Sequence, residues 1–293
     1  MISCCNFVDY KQLTKDNIMQ FFYVISLLVV LLMLNELFRT SKVSTILFFC
    51  ILPVILTFAI WIENGTRPGS SINTWFHWAK LYSVIAAVIG FTIMRYTKWG
   101  ANKYMKFFPV LILAINICEA VMRDVELGVA NGGIWHYLNA AAGVLSIITL
   151  SGWSGIFIDK ENKKDMLWPD MTVFWIIAYD VWNLSYIYFC VPEHAAFGIA
   201  VLLACTIPSL FIKKGTWIQA RAFTLAVWMM LVFTFPDHVD NIGRQMIFSY
   251  DPTLLTTVGA ISLLLNAAFA YVHFTKMYKK RAFKFGQEIH VNN

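Results

Sequence analysis

The chain has 293 residues, of which 59% are hydrophobic and 14% charged, with a formal net charge of +6. Soluble domains carry about a quarter of their residues as charges, so this composition belongs to the membrane class. The basic excess sits in short loops between apolar runs, which excludes nucleic acid as a partner, and six scattered cysteines with no CxxC pair leave no disulfide framework or zinc motif to expect.

The first residues, MISCCNFVDYKQLTKDN, lack the basic-then-apolar order of a signal peptide. Residues 1–17 are therefore expected to form a short segment outside the cytoplasm, with the first apolar run retained. A helix needs about 20 apolar residues to cross hydrocarbon. Nine runs meet this, at 18–38, 43–62, 75–96, 105–123, 135–158, 168–190, 194–212, 217–236 and 253–275. Sixteen Lys and Arg follow the odd-numbered runs, five lie at the opposite ends, and Lys80 and Arg221 fall within runs. Positive charge favours the cytoplasmic side, which places the N-terminus outside and a basic tail, 276–293, inside. The expectation is an all-α polytopic transmembrane helical bundle of about nine spans, one domain over 18–275, in the inner (plasma) membrane.

The connecting loops are too short for a soluble domain. Glu63 to Ser71, ENGTRPGSS, reads as a turn with a weak glycosylation sequon at Asn64. Phe235 to Arg244, FPDHVDNIGR, reads as a solvated loop. Tryptophans at span ends, such as Trp75, Trp99 and Trp168, suit interfacial belts.

Polar residues inside the runs point to function, because a charge at the bilayer centre costs about 2.5–3.5 kcal/mol and faces the bundle interior. The fourth and sixth runs both open with an aromatic-proline pair. Glu119 follows Pro109 by ten residues and Asp180 follows Pro169 by eleven. At about 1.5 Å per residue, both acids reach the middle of the bilayer. Asn116, Glu119 and Arg123 share a helix face, and Glu119 and Arg123 are spaced to pair. Asn183 lies one turn from Asp180. The fifth run brings His136, Asn139, Gly143 and Ser146, and the third brings His77 and Lys80. Asp180 has no partner on its own helix, so either Lys80 or Arg123 reaches it, or it is held protonated. Glu36 and Arg221, near cytoplasmic ends, are expected to snorkel, and Asp170 to sit in the first turn of the sixth helix.

No phosphate loop, dinucleotide fingerprint, HExxH or nucleophile elbow is present. WFHWAKLYS (75–83), INICEAVMRD (115–124), SGWSGI (151–156) and WPDMTVFWIIAYDVWN (168–183) resemble a family of bacterial polytopic membrane proteins of unknown function, over about residues 20 to 235. The resemblance implies a bacterial inner-membrane protein and no activity.

The residues favour a transporter or permease of a small molecule. Its substrate- or proton-binding set would be Asp180, Glu119, Asn183, Arg123, Asn116, Lys80, Asn139 and His77, with no metal and no specified cofactor. The bilayer and a small-molecule ligand or proton are the expected partners. An enzyme acting on a lipid-like substrate, or a membrane sensor or binding subunit, are the alternatives.

Overall fold

Thr74, Thr172 and Asp251 each accept a backbone N–H three residues ahead, from His77, Trp175 and Leu254 at 3.3, 3.1 and 3.0 Å. These caps satisfy donors that a helix start leaves free, and they set where three of the helices begin. The structure, a computed structural model, describes residues 10–291, with side chains from residue 19 onward. The helices are α1 (Tyr10–Thr40), α2 (Lys42–Thr66), α3 (Trp75–Tyr96), α4 (Phe108–Asn131), α5 (Ile134–Ile148), α6 (Val173–Cys190), α7 (Ala195–Phe211), α8 (Trp217–Thr234), α9 (Pro236–Arg244) and α10 (Pro252–Lys280). Among the described residues, eight helices are long and apolar enough to cross a membrane. The chain is a multi-pass, all-α membrane protein. Two π-helical stretches, Leu47–Ile51 and Thr57–Trp61, flank Pro53 in α2. A proline cannot donate to the helical ladder, and Thr57 Oγ1 donates to the Pro53 carbonyl at 2.6 Å.

The fifth run departs from its expected length. Helix α5 has 15 residues, about 22 Å, and stops at Ile148. Beyond it Gly152 takes φ 66, and Phe157–Ile158 (β1) pairs antiparallel with Met166–Leu167 (β2). The glycine-rich SGWSG stretch therefore ends the span and turns the chain into a hairpin at the bundle's end. The sixth helix consequently starts at Val173 rather than Trp168, and Asp170 precedes it. Asp170 Oδ1 instead accepts the backbone N–H groups of Ile289, His290 and Val291 at 2.9, 2.5 and 3.1 Å, while Ser151 Oγ donates to Oδ2 at 2.6 Å. The segment after Lys280 is thus folded back onto the bundle. At the other terminus α1 begins at Tyr10, inside the expected 1–17 segment, whose first nine residues lie outside the described ones. The expected solvated loop at 235–244 is mostly the helix α9.

Helices α3, α6, α7 and α8 form the interior. In their apolar windows 61%, 56%, 72% and 78% of residues are buried, against 17% for α1 and 22% for α2. Helix α5 packs against α4, α6 and α10 on one face and leaves Ile134, Tyr137, Val144 and Ile148 exposed on the other. One polar knot joins α1, α3, α8 and the hairpin. Arg39 holds Asp165 through Nε at 2.9 Å and Nη2 at 2.8 Å, and Gln219 Nε2 donates to the same carboxylate at 3.1 Å. Arg95 donates to the carbonyls of Phe38, Arg39, Lys163 and Lys164 at 2.6 to 3.2 Å. These two arginines, counted among the loop charges, are buried.

Candidate functional site

Helix α8 carries Arg221, Leu225, Trp228, Met229 and Val232 at helical spacing, and all five line one cavity of about 60 Å³. Phe76, His77 and Lys80 face it from α3, Asn116 from α4, and Asn183, Tyr186 and Ile187 from α6. Gly198 and Val201 on α7, with Val191 and His194 before that helix, complete the wall. A water needs only about 10–15 Å³ on this measure, so the space suits a solute of a few heavy atoms. A second cavity of about 30 Å³ shares Asn116, Arg221 and Leu225, so the arginine lies between the two.

Arg221 is 4% exposed and does not snorkel. Its Nη2 donates to Asn183 Oδ1 at 2.9 Å, and the Tyr179 ring centroid lies 5.8 Å from its guanidinium carbon. Nε and Nη1 have no hydrogen-bond partner, and among the described residues Arg221 forms no ion pair. A buried guanidinium with two idle nitrogens is costly unless something else satisfies them. Lys80, also buried, is compensated. Its Nζ lies 2.9 Å from Glu119 Oε2 and donates to the Asn116 carbonyl at 2.8 Å. The cavity wall therefore carries one cation paired directly with an acid and one whose direct hydrogen-bond partner is a neutral amide, with the Asp180 carboxylate close enough to act on its charge.

Of the residues singled out in the sequence, His77, Lys80, Asn116 and Asn183 share this cavity, and Glu119 joins it through Lys80. His77 Nδ1 lies 2.7 Å from Thr74 Oγ1. Ser83 Oγ also donates to Glu119, at 3.2 Å. The expected pairing of Glu119 with Arg123 is not made. Arg123 turns to Glu126 at 2.9 Å, where the side chains are 20% and 46% exposed, while the buried ammonium of Lys80 takes Glu119. A cation with access to solvent can do without the acid that a buried one requires. Asp180 lines neither cavity and meets neither Lys80 nor Arg123. Thr206 Oγ1 donates to its Oδ2 at 2.6 Å, and that hydroxyl accepts the Trp217 indole N–H at 3.1 Å.

Asn139 belongs to a different cluster. Its Nδ2 donates to Asp124 Oδ2 at 2.8 Å, and its Oδ1 accepts from Ser262 at 2.7 Å. His136 Nδ1 lies 2.8 Å from Asp124 Oδ1, and Cys190 Sγ 3.3 Å from the same oxygen. Asp124, 0% exposed, was not singled out by the sequence reading. The signal was available, since Leu113, Ile117, Ala120, Asp124 and Gly128 form one buried stripe and only one of them is charged. Arg221 lies likewise on the inward stripe of α8.

His194 lines the cavity on the side of α9, and its Nε2 lies 3.1 Å from Asp240 Oδ1. Burial would raise the Asp240 pKa, yet the hydrogen bond and charge of His194, with Arg244 beyond, hold it below its ordinary 3.8. The family model for DUF5692, a family of unknown function, matches residues 14–293, so the chain belongs to that family. No curated protein and no solved structure matches it.

Proposed function

We propose that this member of the DUF5692 family is a permease for a small organic or inorganic anion, which binds in the cavity among α3, α4, α6, α7 and α8. The observation that carries the reading is Arg221, buried on the cavity wall with Nε and Nη1 unpartnered. A carboxylate or phosphate supplies the oxygens that a guanidinium fork pairs with, and such bonds are about twice as strong as neutral ones. Asn183 holds the guanidinium in place, while His77 and Asn116 offer further polar contacts. The apolar lining from Leu225, Trp228 and Val232 favours a short hydrocarbon body on the solute.

The Lys80–Glu119 pair supplies a route to coupling. An anion that reaches Lys80 competes with Glu119 for the ammonium, and a carboxylate freed in the bundle interior is a place for a proton to travel with the anion. Anion and proton would then move together. The basic loops support an N-terminus outside and a tail in the cytoplasm of the plasma membrane.

The test begins with thermal unfolding of the purified protein against a panel of small carboxylates and phosphates. A bound anion at about 100 times its dissociation constant should add roughly 2.7 kcal/mol of stability, and Arg221→Gln should lose that response. Uptake of the same anion into proteoliposomes then tests transport, and Glu119→Gln should retain uptake while losing its response to a proton gradient. If no anion stabilises the folded protein, the binding reading fails. If binding occurs without uptake, the permease reading fails and a sensor remains.

A further inference from the structure

Asp124, His136 and Cys190 come from three helices and meet where α4 and α6 end and α5 begins. Their ligand-type atoms all lie within 4.8 Å of one another. The separations are 2.8 Å between His136 Nδ1 and Asp124 Oδ1, 3.3 Å between Cys190 Sγ and that oxygen, and 4.0 Å between Cys190 Sγ and His136 Nδ1. A point equidistant from three atoms so spaced lies about 2.0 Å from each, and zinc sits about 2.0–2.3 Å from nitrogen, oxygen and sulfur ligands.

We propose that Asp124, His136 and Cys190 form a binding site for one zinc ion, separate from the anion cavity, with a fourth position left for water or another small ligand. One imidazole, one carboxylate and one thiolate make a donor set of the borderline kind zinc prefers over magnesium or calcium. The charges also fit. On binding, the Cys190 thiol gives its proton to solvent as the zinc–sulfur bond forms, and the thiolate and the Asp124 carboxylate together cancel the dication. A neutral assembly suits a place where Asp124 is 0% and His136 2% exposed. Asn139 supplies the outer support that ligating carboxylates usually have. Its Nδ2 fixes Asp124 Oδ2 at 2.8 Å, while Ser262 and the Trp182 indole hold Asn139 at 2.7 and 3.0 Å. Cys190 is half-buried, which leaves the cluster an approach from one side.

A nucleophile–base–acid relay fits the same residues less well. In such a relay the acid and the nucleophile address opposite nitrogens of the histidine. Here Asp124 and Cys190 both approach Nδ1, as ligands of one ion would surround it.

The experiment uses the full-length protein with Cys4→Ser and Cys5→Ser, stripped with chelator in detergent and then equilibrated with zinc or cobalt(II). Elemental analysis should return one zinc per chain, and the cobalt form should show a thiolate-to-cobalt charge-transfer band. Cys190→Ser should lose the band, and Cys118→Ser, at an exposed cysteine elsewhere, should keep it. Asn139→Ala should weaken zinc binding about 10- to 100-fold, as loss of an outer support does. Failure of the stripped protein to take up zinc, or a cobalt spectrum without the thiolate band, would overturn the proposal, as would zinc uptake unchanged by Cys190→Ser. Should Cys190→Ser not fold, the cobalt spectrum of the parent and the zinc content of Asp124→Asn decide. Loss of zinc in Asp124→Asn supports the site, and its retention overturns it.

Discussion

Thr206 places one hydroxyl between a carboxylate on α6 and an indole on α8, donating to Asp180 and accepting from Trp217. This contact holds the Asp180 carboxylate beside α7 and α8, off the two cavities that share Arg221. Its other oxygen, Oδ1, stays buried without a partner. Thr206→Val would strip Asp180 of its donor and the Trp217 N–H of its acceptor, and each orphaned group costs about 1–3 kcal/mol. The expected outcome is a clearly lower melting temperature with the anion response intact, because Asp180 is off the cavity wall. Asp180→Asn should likewise leave anion binding unchanged. Loss of the anion response in a folded Asp180→Asn protein would return that residue to the binding site. Asp180 and Arg221 both stand as charges inside apolar runs, and depth along the helix points to Asp180, but only the neighbours of each side chain decide which one faces a cavity.

Helix α9 was expected as a loop because its nine residues include Asp237, His238, Asp240 and Arg244. It folds as a helix because Pro236 can open one without losing a bond and because Val239, Asp240 and Gly243 are buried on one side. Gly243 has no room for a side chain, since a Cβ there would stand 2.0 Å from the Glu193 carbonyl oxygen. The Asp240–His194 contact ties α9 to the cavity's end. A carboxyl with a lowered pKa contributes stability above its unfolded value and loses it as pH falls through the folded one. Docking of α9 should therefore hold at neutral pH and loosen once the pH drops below about 3.8. Hydrogen exchange across 236–244 should speed up on acidification in the parent. In Asp240→Asn it should already be fast at neutral pH, and acid should change it little. Helix α5 makes a related point about close approach. A Cβ at Gly143 would come within 2.5 Å of Val121 and 2.8 Å of the Trp182 indole nitrogen. Gly143→Val should accordingly cost about 1–3 kcal/mol or more through overpacking, read as a lower melting temperature in detergent.

At the level of the whole molecule, two sets of polar contacts tie the first helix and the last described residues to the bundle. Asp170 gathers the last described residues, and the Arg39–Asp165–Gln219 knot joins α1 to α8 through the hairpin. Removing one member of a buried ion pair leaves the other charge unpaired, at about 3–5 kcal/mol. Asp165→Ala should thus destabilise the fold far more than Asp237→Ala, whose pair with Arg67 is 68% and 43% exposed and worth about 1 kcal/mol or less. Thermal unfolding of the two variants side by side checks the contrast. A difference of less than about 1 kcal/mol between them would mean that the knot does not hold α1 to α8.

The amino-acid sequence alone determined that this is a helical membrane protein and where nearly every span lies, because twenty-residue apolar runs need no tertiary partner to be recognised. It also identified His77, Lys80, Asn116 and Asn183 as inward-facing, since a polar group in an apolar run has few other places to go. The partners were a different matter. Glu119 took Lys80 from another helix rather than Arg123 one turn away, Arg221 was left with unpaired nitrogens on a cavity wall, and Asp124 met His136 and Cys190. Each depends on how helices distant in the chain are rotated and at what depth they cross. That is set by packing across the whole bundle, for which spacing along any one helix carries no information.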